Sequence, residues 1–142
     1  TLSLCREVFL GEEDMMSDDN RERLMVASYL GGCAVATSYV GLIHPFSAGL
    51  SVVLGLHHCV ANCIVMNVMG GFYQDAVSEF QEMLIRQKIH LPRDVCKGLS
   101  DADHEALFDA TLVHARPLVN ALGATYEEVL TREKVREIFS RM

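Results

Sequence analysis

At 142 residues, half of them hydrophobic, the chain has the length of one domain and enough apolar material to bury a real core. A net charge of −7 without a Lys/Arg cluster argues against nucleic-acid binding, which depends on neutralising phosphates. The five cysteines (Cys5, Cys33, Cys59, Cys63 and Cys96) are odd in number and lack zinc-finger spacing, so they read as free thiols in a reducing, cytoplasmic compartment. Cys59 and Cys63, four apart on an apolar pattern, are expected to be buried.

The pattern from Thr1 to Glu7 is already that of an amphipathic helix rather than a signal peptide. The chain begins at Thr1 and reads as a piece of a longer protein. Leu2, Leu4, Val8 and Phe9 predict a first helix that ends near Gly11. Glu12-Glu13-Asp14 and Ser17-Asp18-Asp19 form a solvated connection, with Asp18 or Asp19 as the N-cap of the second helix. Asn20 to about Val40 is that long helix, whose small residues, among them Ala27, Ser28, Gly31, Gly32, Ala34 and Ala36, would admit close neighbours. Pro45 interrupts or kinks the pattern, Phe46 to Leu54 resumes it, and Gly55 ends it. A further apolar helix runs from about Cys59 to Met69, with Met66 and Met69 as core filler, and stops at Gly70-Gly71.

Gln74 to Lys88 alternates charged and apolar positions at helical spacing, as a surface helix does. Leu91-Pro92-Arg93 is a turn. Ser100 caps a helix from Asp101 to about Ala115, with Asp103 completing a capping box, and Pro117 breaks the pattern. Thr131 caps a terminal helix to Met142. With no strand alternation, internal repeat or low-complexity tract, the chain reads as an all-α helical bundle.

One feature stands apart. From Leu24 to Gln74 there is no Asp, Glu, Lys or Arg. Such a run is a membrane hairpin or the centre of a folded core. Leu24 to Ile43 is long enough to span a bilayer. Its scattered Gly, Ser, Thr and Tyr, and the polar His57-His58 pair downstream, favour the core.

Histidines inside this run need partners, because an unpaired buried polar group costs ~1–3 kcal/mol. On one straight helix His44 and His58 would stand ~21 Å apart. With a helix from His44 to Leu54, however, the rise is ~15 Å. The extended Gly55-Leu56-His57-His58 returns ~13 Å. A left-handed Gly55 would thus bring His58 back toward His44. Two roles fit: core histidines bonded to carbonyls, or neutral imidazoles ligating a metal.

Gly41-Leu42-Ile43-His44, then eleven uncharged residues of helix and turn, then Leu56-His57-His58-Cys59-Val60-Ala61-Asn62 resembles the metal-binding stretch of the iron-containing (group III) alcohol dehydrogenases. In that family one ligand histidine lies on a helix and a second comes fourteen residues on, before a hydrophobic-Ala-Asn tail. His44 and His58 fall on those positions. Asn20-Arg21-Glu22-Arg23-Leu24-Met25 looks like the helix that precedes the ligands. The resemblance covers nearly the whole chain as the family's C-terminal helical domain, a single metal-binding domain over residues 1–142. Ser47-Ala48-Gly49, His57-His58-Cys59 and Pro117-Leu118-Val119-Asn120-Ala121-Leu122-Gly123 look most like the branch that oxidises the C8 alcohol of 3-deoxy-D-manno-octulosonate, in lipopolysaccharide sugar synthesis.

The resemblance implies a divalent metal, Fe²⁺ or Zn²⁺, held by one carboxylate and three imidazoles, with NAD or NADP as hydride acceptor. Here it assigns His44 and His58 as ligands and His57 as a substrate contact. The implied partner is a small alcohol or sugar-acid substrate, with neither nucleic acid nor membrane; the long apolar helix and acidic surface leave a homodimer open. Three departures matter. The family's Asp-x-x-x-His ligand pair is missing from this sequence, and so is a Gly-rich nucleotide-binding unit. The second histidine common in relatives, four residues after the first ligand, is here Ala48. Asn120 is expected in a structural turn. His90, His104 and His114 are expected to face solvent.

Overall fold

The computed structural model describes residues 1–11 and 14–142; the part of the expected solvated connection formed by Glu12 and Glu13 lies outside them. Along the described residues run α1 (Leu2–Phe9), α2 (Asp18–Ser38), α3 (Ile43–Leu54), α4 (His58–Val68), a 3-10 turn (Met69–Gly71), α5 (Gln74–Arg86), α6 (Asp101–Leu112), α7 (Ala115–Leu122), α8 (Tyr126–Val129) and α9 (Arg132–Phe139). The chain is all-α, and no strand occurs among the described residues. Contacts divide it into two compact units, Thr1–Tyr39 with Ser78–His90, and Val40–Val77 with Leu91–Met142.

The helix ends obey local chemistry. Ser100 Oγ accepts the Asp103 N–H while Asp103 reaches back to the Ser100 N–H, closing the expected capping box on α6. Thr131 caps α9 in the same way through the Lys134 N–H. Gly55 ends α3 at φ 69°, in the left-handed region that glycine enters without a Cβ clash. At α2 the cap is Ser17, whose Oγ accepts the Asn20 N–H, rather than Asp18 or Asp19. The two aspartates instead occupy the first turn, where their charge meets the positive end of the helix.

Both proline readings need correction. Pro45 is the third residue of α3 and Pro117 the third of α7, so neither breaks a helix. The N–H of a first-turn residue has no intrahelical acceptor, and proline forfeits nothing there. The stretch after Pro117 is therefore a helix, with Asn120 inside it rather than in a turn. The short α8 has no counterpart among the helices expected from the sequence.

In the first unit α1 packs on α2, burying Val8 and Ala27. Arg6 pairs with Glu79, Arg86 Nη1 donates to the Leu10 carbonyl at 2.6 Å, and Gln87 Nε2 donates to the Phe9 carbonyl at 3.0 Å. Arg6 beside it holds the Glu79 carboxyl below its ordinary range.

Most of α2 corrects the expectation of a buried, charge-free centre. Met25, Val26, Tyr29, Leu30 and Val35 are exposed, and a Cβ at Gly32 would meet nothing within 4 Å. The apolar residues of α2 are spread around its circumference rather than gathered in one stripe, so one packed face leaves the others outside. Freedom from charge is not burial. Among the described residues no single helix is long and apolar enough to cross a membrane.

The second unit holds the larger core, and here one face of the charge-free run is buried. Leu42, Phe46, Leu50, Ala61, Ile64, Val65 and Met69 from that run join Leu107, Leu118, Leu130, Val135, Ile138 and Phe139 in one cluster. Met66 packs against it, so both methionines are core filler. α3 is the central element, packed on α6 and α4. At the surface Arg132 pairs with Glu105 while covering the Phe108 ring at 4.4 Å, and Arg136 pairs with Asp101 at 2.8 Å. Such exposed pairs contribute ~0–1 kcal/mol each.

All five cysteines are free thiols. Cys59 is exposed and Cys63 half-buried, which corrects the reading of both as buried; the face of α4 carrying Cys59 and Val60 points outward. Cys96 is the buried one, and burial pushes its thiol up to about 11. The thiolate is the reactive form. In the native chain at pH 8, Cys33 and Cys59 are expected to react with a thiol reagent while Cys96 stays protected until denaturant is added. Peptide mapping of the labelled protein checks this; labelling of Cys96 at the rate of Cys33 would contradict its place in the core.

Candidate functional site: a histidine cluster

The second unit brings three imidazoles together, two of which the sequence singles out. His44 is the second residue of α3 and His58 the first of α4. The αL turn at Gly55 and the extended His57 (φ −59°, ψ 130°) reverse the chain between them. Their ring centres lie 5.0 Å apart, at an interplanar angle of 81°. The fold-back inferred from residue counting is therefore present. His114, seventy positions after His44, packs its ring edge-on against His44 at 5.7 Å and 70°.

The start of α3 is pinned where His44 needs it. The Leu42 N–H donates to the Tyr73 hydroxyl at 3.2 Å, giving one orphan amide of the first turn an acceptor. Ser47, fully buried, donates its Oγ–H to the His44 carbonyl at 2.9 Å. Asn120 Nδ2 on α7 donates to the Val40 carbonyl at 3.4 Å, tying α7 to the segment that leads into α3. His114 is the residue before α7, and its N–H donates to the Thr111 carbonyl at 3.3 Å. Its backbone is thus fixed at the junction of α6 and α7.

All three rings are half-buried. Among the described residues no hydrogen bond to a carbonyl or any other group holds them, and the His58 and His114 rings each pack against His44. This counts against the reading of His44 and His58 as core histidines bonded to carbonyls. Burial lowers the pKa of His44, and the proximity of His58 and then His114 lowers it further. The shift favours the uncharged imidazole, the form that ligates metals.

Two imidazoles on neighbouring corners of a tetrahedral zinc ion, each bound at ~2.0–2.1 Å, hold their ring centres ~5 Å apart. The His44–His58 spacing fits that arrangement. With the side chains as they stand, no group of three or more His, Cys, Asp or Glu among the described residues is placed to hold a metal ion. His44 and His58 thus fit two corners of a site, not a whole one.

His57, the N-cap of α4, is exposed and makes no ring contact with the cluster. His90 is exposed, as expected. His104 and His114 are not. His104 Nδ1 is buried without a hydrogen-bond partner, beside a cleft lined by Glu105, Phe108, Arg132, Glu133 and Arg136. His114 escapes sequence reasoning because Pro117 reads as a breaker. Taken as a first-turn proline, it places His114 at the head of a helix, as Pro45 does His44. No known family model matches the chain.

Proposed function

We propose that this chain is the helical, metal-binding half of an NAD(P)-dependent alcohol dehydrogenase, with His44 and His58 as two ligands of a divalent ion, iron or zinc. The observation that carries the reading is the His44–His58 pair at 5.0 Å, half-buried and free of carbonyl partners. The substrate is a primary alcohol; in the branch that the sequence most resembles it is the C8 hydroxyl of 3-deoxy-D-manno-octulosonate. The reading requires, beyond these residues, further ligands and a domain that presents the nicotinamide.

A bound divalent ion supplies Lewis acidity that lowers the pKa of an alcohol hydroxyl and so readies its carbon to give up hydride. The chain's own residues hold and prepare the ligands. Burial, and then the nearness of His58 and His114, favours the neutral His44 imidazole that is open to ligation. Tyr73 and Ser47 hold the start of α3, and with it the His44 backbone, in place. His57, exposed and adjacent to His58 in the chain, is the residue assigned to substrate contact.

His44→Ala and His58→Ala are each expected to weaken metal retention by more than ~10-fold, since loss of mere supporting groups already costs ~10–100-fold. Elemental analysis after dialysis against a metal buffer reads this directly. Stoichiometric metal in either variant would overturn the ligand assignment.

A further inference from the structure

Neither the sequence pattern nor the two-ligand site gives His114 a role. Yet among the described residues it is the one ring besides His58 that touches His44. We propose that His114 is a further imidazole ligand of this site, so that an ion seated on His44 and His58 also takes the His114 ring. The inference rests on the metal-site reading and extends it to a residue on a different helix pair.

Three observations carry it. The His44–His114 ring separation of 5.7 Å exceeds by well under 1 Å the spacing of ~5 Å that two imidazoles adopt on one tetrahedral ion. The His114 backbone is anchored by the Thr111 carbonyl, and its own carbonyl accepts the Leu118 N–H at 3.4 Å. Adjustment therefore falls to the side-chain torsions, which reorient without disturbing the helix ends. Finally, no hydrogen bond among the described residues commits the His114 ring elsewhere, so turning it breaks no hydrogen bond.

The three nitrogens do not converge as the side chains stand, so the proposal includes a rotation of the His114 ring when the ion arrives. Imidazole ligands suit borderline first-row divalent ions, zinc and iron among them, with cobalt as a spectroscopic stand-in.

The test is made on the whole chain with Zn²⁺ and Co²⁺ alone. Long-range ¹H–¹⁵N spectra of the histidine rings are recorded before and after one equivalent of Zn²⁺. Concerted shifts at a ring nitrogen of His44, His58 and His114 are expected, with His90 unmoved. Shifts confined to His44 and His58 would overturn the His114 assignment and leave the reading beneath it standing. An absence of shifts in all three would overturn both.

Co²⁺ titration supplies the second arm. His114→Gln, which keeps the bulk of the side chain, is expected to weaken Co²⁺ binding by at least ~10-fold and to change the visible d–d absorption. His90→Ala is expected to bind as the unaltered chain does. An unchanged spectrum and affinity in His114→Gln would sink the proposal, and the ring spectra of the unaltered chain decide the matter if that variant does not fold.

Discussion

Phe46→Ala is expected to destabilise the second unit by ~3–5 kcal/mol, the usual cost of truncating a fully buried phenylalanine. Phe46 has no exposed surface and comes directly after Pro45 in the first turn of α3. Its ring centre lies 5.2 Å from that of Phe139 on α9, with the planes tilted by 41°. Alanine therefore removes apolar burial and an aromatic contact at once, in a cluster that includes Leu42, Leu50, Leu107 and Leu118. Val52 on the same helix is 76% exposed, and Val52→Ala should stay within ~0.5 kcal/mol of the unaltered chain. Urea unfolding monitored by circular dichroism compares the two. Equal midpoints would mean that α3 does not face the core as described.

Local signals in the sequence are reliable where one residue decides one backbone step. Gly55 is legible because a helix that must stop and reverse needs a residue at home with positive φ, and it stands at φ 69°. Ser100 with Asp103, and Thr131, are legible because their spacing matches the orphan amides of a first turn. The prolines mislead because local sequence leaves two outcomes, a break or a start. Only the position of the helix decides between them. Pro45 and Pro117 are both starts.

The site divides along the same line. His44 and His58 are separated by one helix and one turn, so their meeting can be counted out from rise per residue and the reach of an extended strand. His114 reaches His44 only because α6 packs against α3 and delivers the α6–α7 junction to the head of α3. No local spacing encodes that packing. α2 shows the converse: it lacks charge for most of its length, yet no sided stripe gives it a face to bury, and its large apolar residues stand exposed.

Gly49→Leu should test how the cluster is assembled. A Cβ at Gly49 would lie 3.1 Å from Thr111 Oγ1, 3.4 Å from the Leu107 carbonyl oxygen and 3.5 Å from Phe139 Cζ. The first distance is already tight, and two of the three atoms belong to α6. Thr111 has little room to move. It is fully buried, and its hydroxyl is committed to the Leu107 carbonyl at 2.8 Å. Leucine therefore forces α3 away from α6, at an overpacking cost of ~1–3 kcal/mol. The displacement has a direction that the rings report. His114 hangs from α6 through the Thr111 carbonyl, whereas His58 is tied to α3 through the Gly55 turn. Widening the α3–α6 gap should separate His44 from His114 and leave His44 beside His58. Nuclear Overhauser contacts between ring protons measure both pairs in one spectrum. Loss of the His44–His114 contact with retention of His44–His58 is the expected result. Loss of both together, in a chain that remains folded, would show that the His44–His58 pairing also depends on α6, and that the Gly55 turn alone does not set it.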